Sequence, residues 1–344
     1  MRLTALVKRP EHVSCRYRLA AYRGLFEEAG HHLEVRPWPA AWLSRIMMRR
    51  HLGPVDAVVI QRRLLPTWQL RLIRGAVDLL LYDFDDAVFL RNSYAARGPN
   101  SATRAQRFAA VMQNANAVVA GNLFLHDQAL THIDSERVHI IPTCIETERY
   151  SLAEHSRMGG DVHLVWVGSS STLRGLENVQ PLLEKIGLRW PTIRLKLLSD
   201  RFLKLRHLSV IECPWSEACE TAALAAADIG ISWLPNDLWS RGKCGLKVLQ
   251  YMAAGLPVVA NPVGVQGDMV RHGETGFLAN TDEEWLEAIG RLARDPVLRQ
   301  CMGRAGRRRV EAHFSVGTGF ASWLSLLGRL AQHGDVAKAE GGWN

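Results

Sequence analysis

Short runs of β-branched and aliphatic residues recur along the chain, and each is followed by a longer segment with helical spacing. Parallel strands need a crossover between them, usually a helix, so this alternation points to βαβ units and parallel sheets. In the first half, strands are expected over 3–7, 56–60, 79–82, 117–120 and 138–141, with helices over 17–29, 68–75 and 102–114. In the second half, strands are expected over 163–167, 194–198, 209–211, 229–233 and 258–260. The helices there fall over 176–186, 217–226, 246–254 and 283–294. A chain of 344 residues exceeds one ordinary core and suits two domains of about 150 residues each. The fold class is therefore α/β, two doubly wound Rossmann-like domains facing a central cleft. Residues 141–150 close a strand and the polar stretch 153–161 follows, so the domains are set at 1–145 and 146–314. Phe320, Trp323, Leu324, Leu327 and Leu330 recur at helical spacing. A closing helix over 315–334 should bury that stripe by returning to the first domain, with a polar tail over 335–344.

Composition removes several classes. An apolar fraction of 47% with 22% charge belongs to a folded protein, not a disordered one. No apolar run approaches the length that crosses a bilayer, and the apolar start meets Lys8 and Arg9 too soon for a signal peptide. The six cysteines form no C-x-x-C pair, which argues against a disulfide framework or a zinc site and for a reducing cytoplasm. Residues 1–150 hold 20 Lys and Arg against 14 Asp and Glu, whereas 151–344 hold 22 against 20. The basic first half suits an anionic partner, a phosphorylated or lipid-linked acceptor. The surplus is dispersed, without the like-charge run of a nucleic-acid arm, and an ordinary solvated surface is an equal reading. Trp38, Trp42, Leu43, Ile46 and Met47 with Arg45, Arg49 and Arg50 make an amphipathic basic segment. It could lie peripherally on the inner face of a membrane, but packing on its own sheet is the favoured reading.

The stretch 228–278 carries the chemistry. A strand ends near Pro235, a loop with Gly242 and Gly245 follows, and a helix begins at about Leu246. Glycines before a helix let backbone N–H groups approach a ligand, and the helix N-terminus adds roughly half a positive charge. Lys243 and Lys247 bracket that point, which suits a diphosphate. A second loop over 167–175, VGSSSTLRG, runs from a strand through Gly168, Ser169 and Ser170 to Arg174, whose guanidinium fork matches phosphate oxygens.

Residues 245–260, GLKVLQYMAAGLPVVA, resemble the donor-site signature of family-four retaining glycosyltransferases of the GT-B fold. The 167–175 turn, the crossing at 141–150 and GETGFL at 273–278 are similar to the corresponding segments of that family. The resemblance implies a nucleotide-diphosphate sugar donor, a UDP- or GDP-sugar, bound by the second domain, with transfer under retention and no metal or further cofactor. Arg174, Lys243 and Lys247 would steady the departing diphosphate. Gly168, Ser169, Ser170, Pro214, Trp215, Cys244, Gly245, Leu246 and Gln250 would complete the donor site. The family's two glutamates, eight positions apart, correspond here to Gly242 and Gln250, and the usual Gly-Gly after the first strand is replaced by 8–18, KRPEHVSCRYR. Gln250 can still bond a ribose; glycine cannot replace a carboxylate. Two readings follow: an active variant whose lysines supply what the glutamates do not, or a non-catalytic nucleotide-sugar binding protein. A nicotinamide oxidoreductase is disfavoured because no G-x-G-x-x-G follows the first strand.

In YDFDDA, Asp83, Asp85 and Asp86 follow a strand of the first domain. Such acids can clamp a divalent ion, but acceptor binding by Asp83 or Asp85, or a helix cap, is preferred. Arg16 and Arg18 should line the same cleft and grip an anionic acceptor. His12 and His126 lie near it, yet a retaining reaction needs no separate base, and neither is assigned a role.

Overall fold

The computed structural model describes residues 1–40, 46–155 and 160–340. It divides into two compact units: one made of Met1–Cys144, Gly242–Cys244 and the closing segment from Val316, the other of Ile145–Arg241 and Gly245–Ser315. Each carries one six-stranded sheet in which every pairing is parallel.

The first sheet holds β1 (Arg2–Val7), β2 (His32–Pro37), β3 (Ala57–Gln61), β4 (Leu79–Phe84), β5 (Ala117–Ala120) and β6 (Val138–Ile140), in the order β2-β1-β3-β4-β5-β6. The second holds β7 (Val162–Val167), β8 (Ile193–Ser199), β9 (Ser209–Pro214), β10 (Ile229–Ser232), β11 (Val258–Ala260) and β12 (Gly276–Leu278), in the order β12-β11-β10-β7-β8-β9. The strand order reverses direction between β1 and β3 in one sheet and between β7 and β10 in the other. At such a switch point the flanking connections depart to opposite sides and leave a crevice beyond the strand ends.

β3, central in its sheet, is buried along its whole length, which is why it reads as an uninterrupted apolar run. β2 and β12 were not expected. β2 is an edge strand with mostly half-exposed residues, and β12 is three residues inside a glycine-rich turn, so neither produces an apolar run. The expected helix over 17–29 is split into Val13–Arg18, a 3₁₀ turn at Ala20–Tyr22 and Arg23–Glu28. The helices Leu123–Leu130 and Pro296–His313 were also not anticipated. The second is rich in arginine, which masks its apolar face. Its Arg299 is nevertheless buried, with Nη1 donating to the carbonyls of Leu292 (2.6 Å) and Ala293 (3.2 Å). Arg307 donates likewise to Ala253 O at 2.6 Å. Both guanidiniums meet the negative end of a helix, where a cation is favoured.

The closing helix runs Val316–Glu340, beyond the expected end at 334. It packs Trp323, Leu326 and Leu327 into the core of the first unit beside Phe26, with Phe320 set edge-on to the Phe26 ring at 5.1 Å. Leu326, not the expected Leu324, is the core residue, because 323, 326, 327 and 330 are the positions that share one face. Among the described residues no helix is long and apolar enough to cross a membrane. Of the amphipathic basic segment, Trp42, Leu43 and Arg45 lie outside the described residues. Trp38 is buried with the Arg63 guanidinium 5.1 Å over its ring, while Ile46 and Met47 are exposed.

Candidate active site

In the second unit the crevice beyond β7 and β10 gathers Lys247, Trp166, Gly168 and Thr172. Gly245 sits at φ +66°, ψ 21° and leads directly into the helix Leu246–Ala253. A β-carbon there would collide with the Met269 sulfur, and the left-handed backbone itself favours glycine. This turn places Lys247 in the first turn of the helix. Its ammonium stands 4.0 Å over the Trp166 ring and donates to Thr172 Oγ1 at 3.3 Å. It also crosses the face of Gly168 so closely that a β-carbon on that residue would lie 2.5 Å from Nζ. The same β-carbon would lie 2.6 Å from the Trp166 ring and 2.7 Å from Thr172 Oγ1, so glycine suits this position.

The helix after Gly168 begins earlier than expected, at Ser170, and runs to Asn178. Its first N–H is already occupied: Ser170 N donates to Asp200 Oδ1 at 2.5 Å and Ser170 Oγ to Oδ2 at 2.9 Å. Although some burial opposes it, these bonds hold the Asp200 carboxyl below its usual range. Sequence reasoning missed Asp200, since it follows β8 and carries no local signal. Ser169 shares a hydroxyl contact with Ser171 at 2.8 Å. Arg174, expected in the loop before the helix, lies in its second turn and is exposed. After β9, which ends at Pro214, Trp215 leaves its ring 44% exposed while its indole N–H donates to the buried carboxylate of Glu220 at 2.7 Å. Gln250 is buried, at 3% exposure.

Lys243 and Cys244 belong with the first unit. Asn122, capping the helix Leu123–Leu130, donates to Lys243 O at 3.0 Å. Gly242 has no room for a side chain: a β-carbon would lie 2.7 Å from Ala87 N and Cβ. The backbone of Ala87 therefore closes the space into which a side chain at residue 242 would extend.

Six charges alternate around this point. Asp83 accepts Arg18 Nε at 2.9 Å and Nη2 at 2.5 Å, and Gln61 Nε2 at 3.1 Å, with side-chain exposures of 2% for Arg18 and 0% for Asp83. Arg18 also donates to Ile141 O at 3.0 Å. The expectation that these two contact an acceptor is corrected, because the pair is buried and its members hold each other. Arg62 meets Asp85 at 3.3 Å and also bonds Asp86 and Ser14. Lys243 Nζ lies 2.9 Å from Asp86 Oδ1. Burial alone would raise the Asp85 pKa, but Arg62 and Arg18, with smaller help from Ser14 and Lys243, hold it below the ordinary carboxylate range. Burial raises the Cys244 thiol pKa, and Asp85 adds to this. All three aspartates are thus engaged with cations of the chain. Arg16 stacks on and bonds its neighbour Tyr17, 4.6 Å from ring centroid to guanidinium, and His126 pairs with Asp127 at 3.0 Å.

A second feature of the first unit had no motif to announce it. At the β1/β3 switch point lies a cavity of about 430 Å³ lined by Lys8, Arg9, Arg62, Arg63, Arg104 and Arg107, together with His12 and Thr103. Arg62, at φ +57°, is the one non-glycine residue with positive φ among the described residues. The His12 imidazole is pushed below its ordinary pKa by burial first and then by Arg62, Arg9 and Lys8, with Asp85 opposing.

Residues 148–295 match the glycosyl transferases group 1 family. Among curated proteins, the D-inositol 3-phosphate glycosyltransferase of Pseudarthrobacter chlorophenolicus is 29% identical over 202 residues, 52% of this chain and 47% of that protein. The GDP-Man:Man(3)GlcNAc(2)-PP-Dol alpha-1,2-mannosyltransferase of Dictyostelium discoideum is 42% identical over 67 residues, 19% of this chain and 12% of that protein. The matched region spans about half, or less, of the length of these relatives. Among solved structures, sucrose-phosphate synthase of Thermosynechococcus elongatus superposes with a TM-score of 0.75 at 15% identity, covering 97% of this chain and 100% of the other. HepE of Anabaena, solved with UDP and glucose, gives 0.71 at 16% identity, covering 96% and 100%. Likeness at that identity establishes the architecture. Residues 148–295 are thus similar to the glycosyl transferases group 1 family, within a chain that has the GT-B fold.

Proposed function

We propose that the chain transfers a glycosyl group from a nucleotide-diphosphate sugar held by its second unit to an acceptor held by its first, with retention at the anomeric carbon and without a metal ion. The observation that carries this reading is the Lys247 ammonium, pinned over Trp166 and beside Thr172 in the first turn of a helix at the β7/β10 switch point. Negative charge grows on the diphosphate as the glycosyl bond breaks. A fixed cation and a helix N-terminus stabilise that charge without reorganising. Arg174 is the further cation of this site, and Gly168, Ser169, Ser170, Gly245 and Leu246 form its backbone cradle. Trp215, braced by Glu220, offers an exposed ring for the base, with Pro214 beside it and Gln250 as the ribose contact. In a retaining reaction the leaving phosphate takes the acceptor proton, so no separate base is required. The UDP named with HepE and the GDP-Man in the Dictyostelium relative's name support a UDP- or GDP-sugar donor.

The test pairs two variants. Lys247→Ala removes the ammonium, and Gly168→Ala puts a β-carbon where it lies. Each should lower turnover about a hundred- to a thousandfold and reduce the thermal stabilisation given by UDP or GDP, while unfolding in urea without nucleotide changes little for Lys247→Ala. Turnover near wild type in Lys247→Ala would refute the assignment. Nucleotide-sugar binding with neither hydrolysis nor transfer in the wild type would establish the non-catalytic reading instead.

A further inference from the structure

The geometry points to the basic cavity of the first unit as a binding site for a phosphate-bearing group, a phosphomonoester or diphosphate, and so to a phosphorylated acceptor. This deepens the reading above and rests on it for the word acceptor; the anion site itself stands on separate residues. A volume of about 430 Å³ falls within the range that holds a small ligand. Its position is where an open α/β sheet receives one, beyond the ends of β1 and β3 at the reversal of strand order.

Its chemistry is of one sign. Lys8 and Arg9 come from the end of β1, Arg62 and Arg63 from the end of β3, and Arg104 and Arg107 from the helix Ala102–Asn114. Among the described residues no Asp or Glu lines it. Of the six cations Arg62 is neutralised by Asp85 and Asp86; Lys8, Arg9 and Arg107 are exposed at the rim. Arg104 is exposed too and donates to Val88 O (3.0 Å) and Leu90 O (3.1 Å). That helix is 13 residues long and capped by Ser101, and Thr103 brings its positive end to the same cavity. The backbone of Arg62 adopts the left-handed region, with its N–H donating to Asp83 O at 2.8 Å. The field of Arg62, Arg9 and Lys8 also reaches the half-buried His12. Several guanidinium and ammonium groups around one cavity, with a helix N-terminus, match a phosphate dianion better than a carboxylate, which has fewer acceptor oxygens. The phosphate could belong to a soluble sugar or polyol phosphate or to a lipid headgroup.

Calorimetry with inorganic pyrophosphate, at saturating UDP so that the donor site is filled, tests the site. Sedimentation with phosphatidylglycerol or phosphatidylcholine vesicles separates the two sources. Lys8→Ala/Arg107→Ala removes two exposed side chains, and Arg49→Ala/Arg50→Ala is the charge-matched control from the helix Met48–Leu52. Pyrophosphate affinity should fall at least about tenfold in the first pair and stay within about twofold in the second. UDP binding should be unchanged in both, and raising salt should weaken the anion. Pyrophosphate binding without vesicle binding identifies a soluble phosphate. Vesicle binding that needs phosphatidylglycerol and Lys8 with Arg107, without pyrophosphate binding, identifies a headgroup. Equal losses in both pairs, or no binding of either probe by the wild type, would overturn the site. Failure of Lys247→Ala to affect UDP would instead overturn the donor assignment and leave this result intact.

Discussion

Arg18 and Asp83 sit where water does not reach, and each satisfies the other. Removing one partner of such a pair leaves an uncompensated buried charge, which costs about 3–5 kcal/mol, whereas replacing both with apolar residues costs much less. Asp83→Asn and Arg18→Met should each lower unfolding free energy in urea by that amount, and Arg18→Met/Asp83→Leu should recover most of it. A second residue-scale expectation concerns His12, whose folded pKa is lowered. Between that value and the unfolded one, near 6.5, the unfolded chain binds more protons, so stability rises with pH through this window and is level above it. Chemical denaturation from pH 5 to 7 should therefore show a smaller rise for His12→Asn, which retains an acceptor for the cap to Ser14 N. Lys247 could be read from its motif because helix start, glycine and lysine are adjacent in the chain. Arg18 could not, because its partner is 65 residues away.

At the scale of elements, the closing helix completes the core of the first unit after the chain has built the second. Trp323 is 2% exposed and meets Phe26 with ring centroids 6.4 Å apart. Trp323→Ala should destabilise by about 3–5 kcal/mol, seen as a lower midpoint in urea at unchanged slope. Apolar spacing made this helix legible. The helix Pro296–His313 was hidden, although Asp295 caps it and Pro296 opens it, because arginines that stretch over buried backbone carbonyls look, in sequence, like a solvated surface. β2 and β12 were missed because an edge position or a three-residue length needs no continuous apolar run.

For the molecule as a whole, the three aspartates at the end of β4 and just beyond it bear on metal dependence. Each faces cations of the chain, and among the described residues no group of three or more His, Cys, Asp or Glu could hold a metal ion. On the proposed reading, Lys247 and a helix N-terminus meet the charge that grows on the diphosphate, so transfer should persist in excess chelator; loss on chelation with recovery on adding Mn²⁺ would contradict it. Sequence alone determined the α/β class, the two doubly wound sheets and the Gly245–Lys247 turn. All of these rest on local periodicity or on residues next to one another, which adjacent positions encode. Tertiary structure decided which charges are available to ligands. It buried Arg18 and Asp83 together, set Ala87 against Gly242, and drew Lys8, Arg62 and Arg107 from three separate elements into one cavity. Such pairings join residues tens of positions apart, and burial and charge balance arise only once the sheets have brought them together.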